Sequence, residues 1–218
     1  EYNGDYSFDG SGTITFRNMT LQSGSADYLG FIRADKTVVE NCVINGKTFY
    51  WGYTSATFRN TTFFCPNGDY ALWTYSSPEM TFDGCTFNSS GKTINVYTDY
   101  GAGKCDITVN FNNCTVNSAV DKKNVLNIND SNMGNYKYRI HISGNNSING
   151  SVYRDKVTCS RWFGFGGKPG NNTGRSVVTF DSTPVFENGE MLGHELHPEY
   201  TDGYKDNAYT VTTTEWVK

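Results

Sequence analysis

The carboxylates, histidines and arginines are the residues able to do acid–base, metal or lyase chemistry, and their spacing supports none of the three. The histidines are His141, His194 and His197. His194-Glu195-Leu196-His197 sets two of them three residues apart, whereas zinc-protease chemistry needs His-Glu-x-x-His on one helical face, so the stretch reads as surface polar. Glycoside hydrolysis needs two carboxylates facing one groove, about 5–9.5 Å apart. Asp83 and Asp181 share a place in a repeated phrase described below, but Asn112 and Ser143 stand between them in repeat order, and the column reads as a solvated outer face. Arg154-Asp155-Lys156 and Arg161 could supply an arginine base, yet no acidic column that would hold calcium matches them. Asp99 and Asp130 could offer carboxylates to calcium from loops, without the spacing of an EF-hand. There is no Gly-x-Ser-x-Gly elbow to support a serine nucleophile. Gly164-Phe165-Gly166-Gly167-Lys168-Pro169-Gly170 lacks the Gly-Lys-Ser/Thr ending of a phosphate loop. The reading is therefore of no catalytic residue, no metal site and no cofactor.

Aromatic residues are what remain. The chain has 15 Tyr and 4 Trp among 218 residues, more than a thin core requires. Exposed Tyr and Trp anchor protein interfaces and stack on sugar rings. Strand alternation is expected to turn Tyr50, Tyr97, Tyr100, Tyr136 and Tyr138 outward or into loops, which makes them the candidate binding residues. The competing reading is aromatic ladders that only stabilise a sheet, at about 0.2–1 kcal/mol per cross-strand pair.

Positioning such a face requires a regular scaffold, and one short phrase supplies it. It reads apolar, any residue, Asn or Gly, small, Thr-like, apolar. The copies are Phe16-Arg17-Asn18-Met19-Thr20-Leu21, Val39-Glu40-Asn41-Cys42-Val43-Ile44, Phe58-Arg59-Asn60-Thr61-Thr62-Phe63, Phe82-Asp83-Gly84-Cys85-Thr86-Phe87 and Phe111-Asn112-Asn113-Cys114-Thr115-Val116. Weaker copies begin at Ile142 and Phe180. First residues are separated by 23, 19, 24, 29, 31 and 38 positions. Periods of this size built from β-type segments predict stacked coils, and the absence of a 3.6-residue apolar rhythm excludes a helical repeat. The fold class expected is all-β: a parallel β-helix solenoid of about seven coils with terminal caps, right-handed and pectate-lyase-like by the resemblance given below.

A second apolar segment recurs between phrases, at 28–32, 49–53, 71–75, 94–97, 125–128 and 161–165. Alternation is expected to point Leu29, Phe31, Phe49, Trp51, Ala71, Trp73, Ile94 and Val96 into the core. The third phrase position suits a turn: Asn tolerates a left-handed backbone and can ladder with Asn of the next coil, and Gly84 and Gly144 replace it where it is missing. That accounts for the Asn-x-Ser/Thr sequons at Asn18, Asn60 and Asn113 without a glycan. Cys42, Cys85 and Cys114 share one phrase position, which predicts buried, unbridged thiols in a column; Cys65, Cys105 and Cys159 are not assigned. Residues 1–13 read as a turn-rich cap, and added loops are expected at 99–104, 117–123, 130–136 and 166–174. Residues 1–190 are read as the β-helix with its N-terminal cap. Residues 191–218 read as a capping segment and final strand of the same domain.

A net charge of −4 with no basic stripe argues against a nucleic-acid partner. No apolar run approaches the roughly 18 residues of a membrane span. Glu1 is expected to open a monomeric module excised from a larger chain.

The tail, with Pro198-Glu199-Tyr200, Asp202-Gly203-Tyr204-Lys205 and Tyr209-Thr210-Val211, resembles the closing element of right-handed β-helix repeats in surface proteins of Gram-positive gut bacteria. The likeness spans residues 12–212 and departs at Met191-Leu192-Gly193-His194-Glu195-Leu196, where that family has a Phe-containing strand. It implies an extracellular or cell-surface location and a non-catalytic, adhesin-like binding role toward a host glycoprotein, with superantigen-like immunoglobulin binding as the most specific form. The alternative is a carbohydrate-active enzyme or glycan-binding domain on the same scaffold. The polygalacturonase-type signatures Asn-Thr-Asp, Asp-Asp and Gly-His-Gly are missing, and Thr98-Asp99-Tyr100-Gly101 comes nearest to them. A plain spacer is the third option, against which the Tyr content argues.

Overall fold

The computed structural model describes residues 6–22, 30–46, 48–66, 70–75, 77–91, 93–97, 105–117, 124–129, 137–149, 152–153, 161–165, 176–180 and 209–212. Among them every regular element is a β-strand. In chain order these are β1 (Tyr6–Asp9), β2 (Thr13–Arg17), β3 (Thr20–Gln22), β4 (Gly30–Glu40), β5 (Val43–Asn45), β6 (Thr48–Arg59), β7 (Thr62–Cys65), β8 (Leu72–Tyr75), β9 (Glu79–Asp83) and β10 (Thr86–Ser89). There follow β11 (Ile94–Tyr97), β12 (Ile107–Asn112), β13 (Thr115–Asn117), β14 (Asn124–Asn129), β15 (Lys137–Ser143), β16 (Ser147–Asn149), β17 (Arg161–Phe165), β18 (Ser176–Phe180) and β19 (Tyr209–Thr212). The strands are rich in Phe, Val, Ile, Thr and Tyr, the residues that fit a pleated, half-buried surface.

Among the described residues all strand pairs are parallel, and the strands form two sheets of 13 and 6. The small sheet runs β16-β13-β10-β7-β5-β3. The large one has two runs joined through the long strands β4 and β6. The first half of β6 pairs β8, its second half pairs β9, and the two runs continue through β11, β14 and β17 and through β12, β15, β18 and β19. Each phrase pairs with the next in register: Phe16 with Val39, Val39 with Phe58, Phe58 with Phe82, Phe82 with Phe111 and Phe111 with Ile142. The repeat is thus real in space.

The core lies between the two sheets. Phe58, Phe82 and Phe111 stack at 5.2 and 5.0 Å between ring centroids, within 16° of parallel. Phe63 and Phe87 stack at 5.0 Å from the small sheet, and Phe58 meets Phe63 edge-on at 5.8 Å across the core. Val39, Met80, Val109, Val116 and Ile140 fill the remaining layers.

The turn between the sheets follows the expected chemistry. Asn18, Asn41, Asn60 and Asn113 have φ between 46° and 56°, and Gly84 and Gly144 have φ of 62° and 69°. Asn41 Nδ2 donates to Asn18 Oδ1 at 3.1 Å, and Asn60 Nδ2 donates to Asn41 Oδ1 at 3.2 Å. The sequon residue Asn60 therefore has its amide engaged in the ladder. Where glycine replaces Asn, a Cβ on Gly84 would stand 2.6 Å from Asn60 Oδ1, so the ladder closes against the glycine.

The next phrase position is the buried column Cys42, Thr61, Cys85, Cys114, all unbridged where cysteine. Each donates to the carbonyl two residues back: Cys42 to Glu40, Thr61 to Arg59, Cys85 to Asp83 and Cys114 to Asn112. Thiol and hydroxyl are interchangeable there because the site asks for a small donor. Burial pushes the Cys85 thiol well above its ordinary value and that of Cys105 to about 11.

Three expectations are corrected. Tyr6–Asp9, read as part of a turn-rich stretch, is a strand paired with Gly30–Arg33. The copy beginning at Ile142 carries one extra residue, so that Asn146 Oδ1 accepts the Cys114 N–H and Ile148, not Ser147, aligns with Val116. Phe180 pairs with Ile140, two residues ahead of the phrase register, so the last copy is not in phase. The expected loops at 99–104, 130–136 and 166–174, the bulk of 117–123, Cys159 and most of the tail lie outside the described residues; Tyr209–Thr212 is the expected final strand.

Phe82→Ala should lose about 3–5 kcal/mol in urea unfolding, because both stacked neighbours keep their places around the cavity. Asn41→Ala should cost about 1–2 kcal/mol through its left-handed backbone and two broken side-chain bonds, and Asn41→Gly less, since glycine removes only the second of these.

Candidate binding face

The face follows from the phase of alternation in β6 and β8. Tyr50, not Phe49 or Trp51, enters the core, fully buried and edge-on to Phe58 at 5.6 Å. It aligns with Ile32 on one side, and its carbonyl accepts from Thr74 Oγ1 on the other. Leu72 and Thr74 are likewise buried, and Leu72 continues into Ile94. Phe49, Trp51 and Trp73, expected inside, therefore stand on the opposite face of the sheet, and Tyr50, expected outside, is removed from the candidate set. Ile94, Val96 and Ala71 are buried as expected.

On that opposite face six rings of the described residues form one connected strip. Tyr70 meets Trp73 edge-on at 5.0 Å; Trp73 contacts Phe49 at 5.4 Å; Phe49 lies 6.2 Å from Tyr75. Tyr75 contacts Trp51 at 5.1 Å, and Trp51 lies 4.5 Å from Tyr53. Trp51 is 1% exposed and serves as the floor, while Tyr53 is 38% exposed at the end of the strip. Phe49, Trp73 and Tyr75 are half-buried between them.

Tyr53 owes its place to a bulge. Ala34 pairs with Gly52 and Lys36 with Ser55, so Tyr53 and Thr54 stand opposite the single residue Asp35. Bulges re-aim side chains and terminate regular pairing. Here the bend brings the Ser55 carbonyl oxygen to 1.7 Å from where a Cβ on Gly52 would lie, so only glycine fits. Thr54 Oγ1 donates to the Asp35 carbonyl at 2.7 Å, the Gly12 N–H donates to Asp35 Oδ2 at 2.7 Å, and the Gly52 N–H donates to Ser77 Oγ at 3.3 Å.

The other expected residues fall as follows. Tyr97 aligns with Tyr75 and so takes the next place in the Trp51–Tyr75 column by backbone register. Tyr138 aligns with Ile107, a core position. Tyr100 and Tyr136 lie outside the described residues, as do His194 and His197. Sequence reasoning missed Tyr53 and Tyr75 and misplaced Phe49 and Trp73. The missed signal was countable: stepping back by twos from Phe58 reaches Ala56 and Tyr50, and from Phe82 reaches Met80, Thr74 and Leu72.

Several of the described charged groups form structural pairs. Glu40 bridges Arg17 and Arg59, each at 2.7 Å, and hydrogen bonds from Arg17 and then Arg59 hold its carboxyl below the usual range. Arg33 pairs with Asp9 at 2.5 Å, and Asn112 Nδ2 donates to Asp83 Oδ1 at 2.7 Å. Among the described residues no three His, Cys, Asp or Glu side chains are placed to hold a metal ion. No protein-family model, curated protein or solved structure matches the chain.

Tyr50→Ala should cost about 3–5 kcal/mol in denaturant unfolding, as a large buried ring does. Tyr53→Ala should change stability by no more than about 0.5 kcal/mol. Equal effects of the two would contradict the phase described here.

Proposed function

We propose that the chain is a right-handed parallel β-helix of about seven coils that serves as a non-catalytic binding module of a bacterial surface protein. Its partner is a host glycoprotein, with immunoglobulin the first candidate, met outside the cell. The observation that carries this reading is the six-ring strip on the non-core face of β6 and β8. Half-buried Phe49, Trp73 and Tyr75 and exposed Tyr53, set over buried Trp51 on a sheet face already supplied with a core, contribute recognition surface: rigid rings lose little entropy when bound. The bulge supports the same reading, since a regular stack needs no such departure at Gly52. The repeat phrase and the Asp202-Gly203-Tyr204-Lys205 tail support the surface-protein origin. Glu40, Asp9 and Asp83 are each engaged by an Arg or Asn, a structural use that favours binding over carboxylate catalysis.

The test is capture of serum and mucin proteins by the immobilised chain. Immunoglobulin or another glycoprotein should be retained, and Tyr75→Ala should weaken retention by about tenfold, as loss of an interface ring does. Progressive shortening of a retained glycan would replace this reading with an enzyme. Retention unaffected by Tyr75→Ala would move the binding face elsewhere.

A further inference from the structure

Resting on the binding reading above, we infer that the Tyr53 bulge is a saccharide subsite, taking one or two uncharged sugar rings of the glycoprotein's glycan rather than its polypeptide. Three observations lead there.

The first is size. The large apolar side chains exposed among the described residues are Phe8, Met19, Tyr53, Val152 and Tyr153, and of these Tyr53 alone belongs to the aromatic strip. A stable protein–protein contact covers about 800 Å² on each partner, with several desolvated anchors at its centre. One accessible ring flanked by half-buried Phe49, Trp73 and Tyr75 offers far less. It does match the apolar face of a pyranose, which needs a single aromatic platform.

The second is charge. Arg33, one strand from Trp51 in the same column, is neutralised by Asp9 at 2.5 Å, and Asp35 beneath the bulge accepts the Gly12 N–H at 2.7 Å. Both of these groups are thus engaged within the protein, while Lys36, opposite Ser55, stands exposed at the edge of the bulge. A neutral hexose stacked on the Tyr53 ring draws on neither Arg33 nor Asp35 and requires no cation.

The third is construction. Tyr53 rests on Trp51 at 4.5 Å with the planes inclined by 46°, and Trp51 is held in turn by Tyr75. The strands that flank the bulge are tied by Thr54 to Asp35 and by Gly52 to Ser77, so the ring is presented by a locked backbone. Thr54 and Ser55 follow directly with hydroxyls, and an apolar ring bordered by hydroxyls is the complement of a sugar with one apolar face and an equatorial rim of hydroxyls. Bulges gather where a side chain is re-aimed for recognition.

The experiment uses the full chain and three probes: an intact serum glycoprotein that it retains, the same glycoprotein after enzymatic removal of its glycans, and the released neutral glycans. Binding is read by calorimetry and by Trp fluorescence, since Trp51 lies under the proposed subsite. The intact glycoprotein and the released glycans should bind and the stripped polypeptide should not. Tyr53→Ala should weaken both interactions by about tenfold, while Tyr53→Phe, which keeps the ring face, stays within about threefold. If the stripped polypeptide binds as well as the intact one and Tyr53→Ala has no effect, the saccharide subsite is overturned while the binding module stands. If no glycoprotein is retained in the first place, the binding reading falls and the subsite with it.

Discussion

Parallel, in-register pairing of successive repeats is the constraint on which everything else rests. Each side chain in the described sheets has as its nearest neighbours, about 4.8 Å away, the residues at the same repeat position on the strands above and below. A residue type is therefore accepted only if it tolerates its counterpart. Phe tolerates Phe by stacking, as at Phe58, Phe82 and Phe111. Asn tolerates Asn because an amide both donates and accepts, as from Asn60 to Asn41 to Asn18. Charge does not tolerate like charge directly opposite. The column after the leading apolar residue accordingly runs Arg17, Glu40, Arg59, Asp83, Asn112, with opposite signs adjacent along its charged part.

The same constraint explains where irregularity carries meaning. A stack of matching repeats gains nothing from a residue without a counterpart. Tyr53 and Thr54 face only Asp35, and the backbone there has been made compatible with glycine alone at position 52. Local departures of this kind from an otherwise consistent pattern are where function is expected in natural proteins. The bulge also marks the change of phase within β4, where Ile32 and Ala34 are buried before it and Thr37 and Val39 after it. In β6 the one extra residue of the bulge preserves the phase from Tyr50 to Phe58. One structural event thus decides which aromatic rings fill the core and which form the outer strip.

Much of this was legible in the amino-acid sequence. The phrase positions, their Phe and Val anchors, the left-handed Asn and Gly turns and the unbridged cysteine column all follow from local chemistry repeated at a recognisable period. Such features are legible because each repeat reports independently on the same backbone geometry. The segment between phrases was read with the wrong phase, because its residues are apolar on both faces: Phe49-Tyr50-Trp51 offers no polar partner by which alternation can declare itself. Alternation started one residue out of phase put Phe49, Trp51 and Trp73 inside, and that slip inverted the strip.

The sequence by itself determined the repeat, the parallel pairing partners and the residues that turn the chain, since these depend on conformational preferences and on compatibility between copies. Only the tertiary structure decided which face each aromatic residue occupies and that Tyr53, rather than Tyr50, meets the solvent. The physical reason is that strand phase is set by register against neighbouring strands and by a bulge whose one extra residue is defined only relative to a partner 19 positions earlier.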